Sequence, residues 1–146
     1  MAAPAYSLKV TDVEHYTESY FRFRVERPSG VRFTSGQFVM VGLPVDGENV
    51  MRAYSIASPS WDDELEFYSI IVPNGRLTGR LKDITPGDEV LMSRKAVGTL
   101  VLKSLRSKGK RLFLLSTGTG VAPFASTIRD EETYSSFDQV YLIQTC

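Results

Sequence analysis

Residues 52–60 read RAYSIASPS. Read as a β-strand, Arg52, Tyr54 and Ile56 fall on one face and Ala53, Ser55 and Ala57 on the other. A strand made only for packing has no use for an arginine beside a large aromatic. Either Arg52 reaches water, or a flat, anionic ligand lies against this face. Arg52 can grip a phosphate through two parallel, charge-assisted hydrogen bonds. Tyr54 can lay its ring on a planar heterocycle while its hydroxyl stays paired. Two residues apart, they suit a nucleotide cofactor. The plainer reading is a solvated arginine beside a barrel tyrosine.

The flanking sequence is β in character up to Leu100. YSLKVTDVEHYT and YFRFRVERPSG alternate, and in the second Phe21, Phe23 and Val25 oppose Arg22, Arg24 and Glu26. FTSGQFVMVGLP, with a bend at Gly36, is a third strand, followed by RAYSIAS, LEFYSIIVP and DEVLMSR. RPSG, SPSWDDE, PNGR and TPGDE mark turns. Strands punctuated in this way predict a closed antiparallel barrel or a sandwich. A short helix is expected at LTGRLKDI.

Beyond Leu100 the pattern changes. VLKSLRSKGK is a basic, loop-like link, and Arg106, Lys108, Lys110 and Arg111 read as its charges, with docking of an acidic partner as the lesser alternative. RLFLLS and VYLIQT are continuous apolar runs, expected to be strands buried on both faces. Between them FASTIRDEETY is helical in character. This β–α–β order opens a parallel α/β domain. The expected division is an antiparallel barrel over residues 1–103 and an incomplete α/β domain over 110–146. The final QVYLIQTC is a β-prone run, which leads us to expect that the fold continues in a longer protein.

Seventeen basic residues balance seventeen acidic ones, so no bulk field favours nucleic acid or an anionic membrane. Any anion must be caught by a local site. The single cysteine, Cys146, excludes a disulfide framework and a cysteine zinc site, and no metal site is expected. The opening MAAPAYSLKV carries no secretory pattern, which together with the lone cysteine predicts a cytoplasmic protein. His15 in its polar link, Trp61 over a turn and the acidic Asp62–Glu64 segment are read as surface features.

Two further stretches suit phosphate. In NGRLTGRL, Gly75, Leu77 and Thr78 can present backbone N–H groups and a hydroxyl at a helix start, where an ordinary N-cap at Thr78 is the alternative. In STGTGVAP, Gly118 and Gly120 can adopt positive φ and let a ligand approach the backbone, with Pro123 in the first helical turn. The alternative is a plain strand-to-helix turn. No acidic residue ends the next strand; Gln144, Thr145 and Cys146 stand there, and Asp138 before it reads as a turn residue.

RAYS, GRLT and TGTGVAP, in this order, resemble the R-x-Y-S flavin motif, the G-x-x-S/T pyrophosphate motif and the nicotinamide-nucleotide turn of the ferredoxin–NADP reductase family, and the wider stretch RAYSIASPSWDDELEFYSIIVPNGRLTGRL resembles its bacterial ferredoxin/flavodoxin–NADP reductases. The resemblance implies a mainly β chain: an antiparallel FAD-binding barrel followed by the first β-α-β of an NADP-binding domain. It implies that Arg52 holds the FAD pyrophosphate, that Tyr54 stacks on the isoalloxazine with Ala53 beside it, and that Ser55 sits near flavin N5, where hydride arrives. By strict alternation Ser55 faces away from Tyr54, so the strand has to bend there. Tyr68, Ser69, Ile70 and Ile71 would line the ring, and Gly75, Leu77 and Thr78 would take FAD phosphate. Thr117, Gly118, Thr119, Gly120 and Val121 would take NADP, with Thr119 also touching FAD. The implied activity moves electrons between NADP(H) and ferredoxin or flavodoxin, in a protein expected to be monomeric when full length. The alternatives are the flavin module of an oxygenase-type system, and an FAD-holding fragment with little NADPH turnover. The family's 2′-phosphate pocket and the C-terminal residues that cover its flavin would lie beyond Cys146.

Overall fold

A computed structural model describes residues 5–106 and 109–145. Lys108 and Cys146 lie outside the described residues. Six strands form one antiparallel sheet: β1 (Ala5–His15), β2 (Tyr20–Glu26), β3 (Phe38–Val45), β4 (Glu48–Ser55), β5 (Glu64–Ile70) and β6 (Glu89–Ser93). Their order is β4-β3-β6-β1-β2-β5. The sheet curls until its two edges meet, so barrel rather than sandwich is the outcome. Past the end of β4, the Ala57 N–H donates to Glu66 O at 2.8 Å, and the Tyr54 hydroxyl pairs with Ser69 Oγ at 2.9 Å.

The alternation read in β2 sets the inside. Phe21, Phe23 and Val25 point into a core shared with Leu8, Val10, Val41, Phe67 and Met92. Full burial of such a side chain contributes about 1.5–3 kcal/mol. The opposite residues, Arg22 and Arg24, are not free in water. Arg24 pairs with Asp62, Glu64 and Glu66, each at 2.9 Å. The acidic segment Asp62–Glu64 is therefore largely an ion-pair partner and not the solvated loop expected of it. Burial alone would raise the Asp62 carboxyl, but Arg24 and backbone N–H groups outweigh it and hold it below its ordinary value.

β4 begins four residues before Arg52. Asp46 (φ 51°) and Gly47 (φ 82°) form the two-residue turn that pairs β3 with β4 from Val45↔Glu48 to Phe38↔Ser55. Gly36 (φ 107°) does lie at a bend, just before β3: a Cβ there would stand 1.8 Å from Leu100 O, so the chain leaving β6 runs hard against it. The expected helix after β5 is the single turn α1 (Thr78–Leu81).

The second unit pairs β7 (Arg111–Thr117) in parallel with β8 (Gln139–Thr145). The helical stretch between them is two helices, α2 (Ala122–Ile128) and α3 (Glu131–Ser136), split where Asp130 accepts from the Glu132 N–H and caps α3. The expectation of strands buried on both faces fails. Leu112 and Leu114 are buried beneath the helices, but Phe113, Leu115, Tyr141 and Ile143 on the other face are exposed, with the Phe113 and Tyr141 rings stacked at 4.9 Å. Among the described residues nothing covers that face. No helix there is long and apolar enough to cross a membrane.

Candidate functional site

The end of β4, β5, the loop into α1 and the turn after β7 converge on one cavity of about 500 Å³. Arg52, Ala53, Tyr54 and Ser55 line one side, Tyr68, Ser69 and Ile70 another, and Gly75, Leu77 and Thr78 a third. Thr119 and Gly120 close it from the second unit, together with Ala122. Ser55 thus opens onto the same space as Arg52 and Tyr54, although alternation along a regular strand would put it on the opposite face. β4 ends at Ser55, and the Ile56 N–H turns to Gln37 O at 3.1 Å.

Tyr54 is 9% exposed. Its ring stands edge-on to Phe23 (6.1 Å) and Phe67 (6.3 Å), and its hydroxyl is held by Ser69. Burial pushes its phenol above the ordinary value, against the opposing pull of Ser69 and of Arg52. Arg52 is exposed, and its Nη1 donates to the adjacent Met51 O at 2.9 Å. Among the described residues it makes no ion pair, which leaves a cation at the cavity mouth.

At Gly75 the chain turns too tightly for a side chain. A Cβ would stand 2.4 Å from Thr78 Oγ1 and 3.0 Å from Val72. The N-cap of α1 is Leu77, not Thr78. The Thr78 hydroxyl is engaged locally, accepting from the Val72 N–H at 3.0 Å and donating to Val72 O over a long 3.4 Å. The N–H groups of Arg76, Leu77 and Thr78 find no backbone acceptor among the described residues. Three such donors in succession, leading into α1, can receive an anion.

A second cavity of about 470 Å³ adjoins the first across Tyr68, Ser69 and Thr119. Gly118, Val121 and Gln144 line it from the second unit, and Tyr16, Tyr20 and Phe21 from the barrel. Gly118 is left-handed (φ 53°), as a glycine turn requires; Gly120 is not, so only one of the two glycines uses its conformational freedom. Gln144 Nε2 donates to Gly118 O at 3.0 Å and pins the turn to β8.

Two expected site residues stand elsewhere. Ile71 packs against the barrel core, because strand alternation turns it inward after the exposed Ile70. Thr117 lies at the end of β7 in a shallow groove with Leu115 and Ile143, outside both cavities. Trp61 does not pack over its own turn; it is 68% exposed and its Nε1 donates to Arg129 O at 3.0 Å. His15 is exposed at the end of β1, its ring stacked on Phe21.

The family described as the oxidoreductase FAD-binding domain matches residues 7–100. The chain belongs to that family. It is 56% identical over 138 residues to a flavodoxin/ferredoxin–NADP reductase of Rhodobacter capsulatus, covering 94% of this chain and 51% of that protein. A ferredoxin–NADP reductase of Pseudomonas aeruginosa is 53% identical over 138 residues, covering 94% and 53%. A crystal structure of a ferredoxin NADP+ reductase from Neisseria gonorrhoeae with bound FAD and NADP superimposes with a TM-score of 0.94 at 32% identity, covering 99% of this chain and 58% of that one. The chain spans about half the length of the curated relatives it matches.

The sequence reading missed Tyr16 and Tyr20 of the second cavity and the role of Gln144. Tyr16 and Tyr20 sit on opposite sides of the β1–β2 turn, and nothing local distinguishes them from surface aromatics. The charged partners of Arg24 were visible as residues but not as partners, because the pairing of β2 with β5 sets Arg24 opposite Glu66.

Proposed function

We propose that this chain is the flavin-holding part of an FAD-dependent reductase that moves electrons between NADP(H) and ferredoxin or flavodoxin. The observation that carries the reading is the convergence of RAYS, GRLT and TGTG on adjoining cavities, although these motifs are scattered from β4 to the turn after β7. In this reading residues 1–103 are the FAD-binding barrel and 110–146 the start of an NADP-binding α/β domain.

The residues present fit FAD. Arg52 and the free N–H groups of Arg76, Leu77 and Thr78 would neutralise and bond a pyrophosphate, and Gly75 lets it approach. Tyr54, fixed by Ser69, would present its ring to the isoalloxazine, with Ala53 leaving room beside it. Ile70 and the β5 backbone would bound its edge. Ser55 would hold a hydroxyl near the reacting nitrogen and keep a proton available there. Bound FAD supplies the exchange between two-electron nicotinamide chemistry and one-electron carriers. Gly118, Thr119, Gly120 and Val121 would place the nicotinamide nucleotide in the second cavity, and Thr119 would touch both ligands. A monomeric, cytoplasmic protein belongs to the same proposal, since its substrates are soluble carriers.

Visible absorption of the purified protein, titrated with FAD and separately with FMN, tests this. Saturable binding of FAD, tighter than FMN because only FAD has a pyrophosphate for the α1 loop, is expected. A folded β-rich circular dichroism spectrum with no flavin binding overturns it. Steady-state reduction of a dye by NADPH then separates a working reductase from a flavin-holding fragment.

A further inference from the structure

Glu66 on β5 is 5% exposed, and nothing in the flavin site above calls for it. A carboxylate so buried needs partners. Its two oxygens have different ones. Oε2 faces the barrel sheet, taking Arg24 Nη1 at 2.9 Å with Arg22 Nη1 at 3.6 Å. Oε1 faces outward, taking Arg129 Nη2 at 3.0 Å and the Tyr68 hydroxyl at 3.3 Å.

Arg129 is the C-cap residue of α2. Its Nε returns to Ala125 O at 2.9 Å, its Nη2 also reaches Ala57 O, and its own carbonyl is taken by Trp61. Ser126 Oγ donates to Ser58 O at 2.7 Å one turn earlier. The end of α2 is thereby fastened to the β4–β5 connection. α2 starts immediately after the Gly118–Val121 turn, so whatever fixes this helix against the barrel fixes the turn against β5. Tyr68 packs over Ala57, Ala122 and Ala125 and lines both cavities.

We propose that Glu66 is a positioning residue: anchored by Arg24 on one oxygen, it uses the other to hold Arg129 and Tyr68, and so sets the spacing between the two cavities. The inference rests on reading those cavities as adjoining flavin and nicotinamide sites. Because Arg24 remains on Oε2, loss of the Arg129 arm leaves no naked buried charge, and Arg129→Met should fold.

The test uses the full-length protein with Glu66→Gln and Arg129→Met. In the cofactor-free state, hydrogen exchange at the amides of Ala122–Ile128 is expected to quicken about tenfold in both variants, with β2 and β5 unchanged. With ligands, the dissociation constants of FAD and NADP+ should each stay within about threefold, while single-turnover reduction of the flavin by NADPH slows about tenfold to a hundredfold, the scale of a misplacement near 1 Å. A lowered melting temperature with exchange at α2 and reduction rate both unchanged makes Glu66 a merely structural ion-pair partner and overturns the proposal. If Glu66→Gln does not fold, Arg129→Met decides alone. If the wild-type protein binds FAD but is not reduced by NADPH, the functional reading fails, and the exchange data decide whether Glu66 holds α2.

Discussion

Tyr54 offers the sharpest test of the flavin site, because two substitutions separate its ring from its hydroxyl. Tyr54→Phe removes the 2.9 Å bond to Ser69. Ser69 Oγ keeps Ile70 O at 3.1 Å, so no group is orphaned and the loss is about 1 kcal/mol of stability. Tyr54→Ala also removes the ring packed on Phe23 and Phe67, and an aromatic truncated in a core costs about 3–5 kcal/mol. Stacking of an aromatic side chain on a heterocycle is worth about 1–3 kcal/mol, roughly fivefold to a hundred-and-fiftyfold in Kd. Flavin fluorescence quenching should therefore give Tyr54→Phe an FAD affinity within about threefold of wild type, and Tyr54→Ala a loss inside the stacking range, with circular dichroism confirming that both are folded. An unchanged Kd in folded Tyr54→Ala refutes the stacking role. Equal losses in both variants transfer it to the Tyr54–Ser69 pair.

Gly36→Ala forces a Cβ against Leu100 O at positive φ, and the sum of backbone strain and overpacking is about 2–5 kcal/mol, read as a lowered urea midpoint; an unchanged midpoint refutes the close approach. Gly75→Ala drives a Cβ into Thr78 Oγ1, costing about 1 kcal/mol of stability through the Val72–Thr78 bond. It should weaken FAD more than FMN; equal weakening argues against phosphate at this loop. Burial and then the charge of Glu66 push the Tyr68 phenol up to about 12. Its folded value exceeds its unfolded one, so the neutral hydroxyl contributes stability that is complete below about pH 10 and is lost as pH rises through the folded value. Ultraviolet difference titration should show Tyr68, like the buried Tyr54, ionising later than an ordinary tyrosine, and in Glu66→Gln the Tyr68 step should move down.

The barrel was legible because its signals are local. Alternation in β2 names the core face, and the three motifs name most of the residues that line the two cavities. The limits were equally physical. The positive-φ turn at Asp46–Gly47 carries β4 back to Glu48, four residues ahead of the strand that RAYSIAS alone suggests. Tyr54 and Ser55 share a cavity because the strand ends between the barrel and the second unit, which no periodicity encodes. Ile71 follows the alternation rule that the family motif obscures. Apolar runs such as RLFLLS state how much surface can be buried, not what covers it, hence the exposed Phe113 and Leu115. The Glu66 cluster depends on sheet register and on a helix far along the chain, and both are tertiary facts.

Strand order has a kinetic and thermodynamic corollary. β4 and β5 are consecutive in the chain, yet they occupy opposite edges of the six-stranded sheet, and their seam rests on a few links such as Ala57 N–H to Glu66 O. The links across this seam, Ala57 to Glu66 and Tyr54 to Ser69, join residues only nine and 15 apart in the chain, so the seam itself is local, while the contacts of long sequence separation are those of β6 beside β3 and β1. A ligand seated between Arg52, Tyr68 and the α1 loop would act as a clasp across it. Such a ligand stabilises the native state by about 2.7 kcal/mol at a hundred times its Kd. Cofactor-depleted protein should therefore open first along this seam, and flavin supply during synthesis becomes a determinant of how much folded protein accumulates.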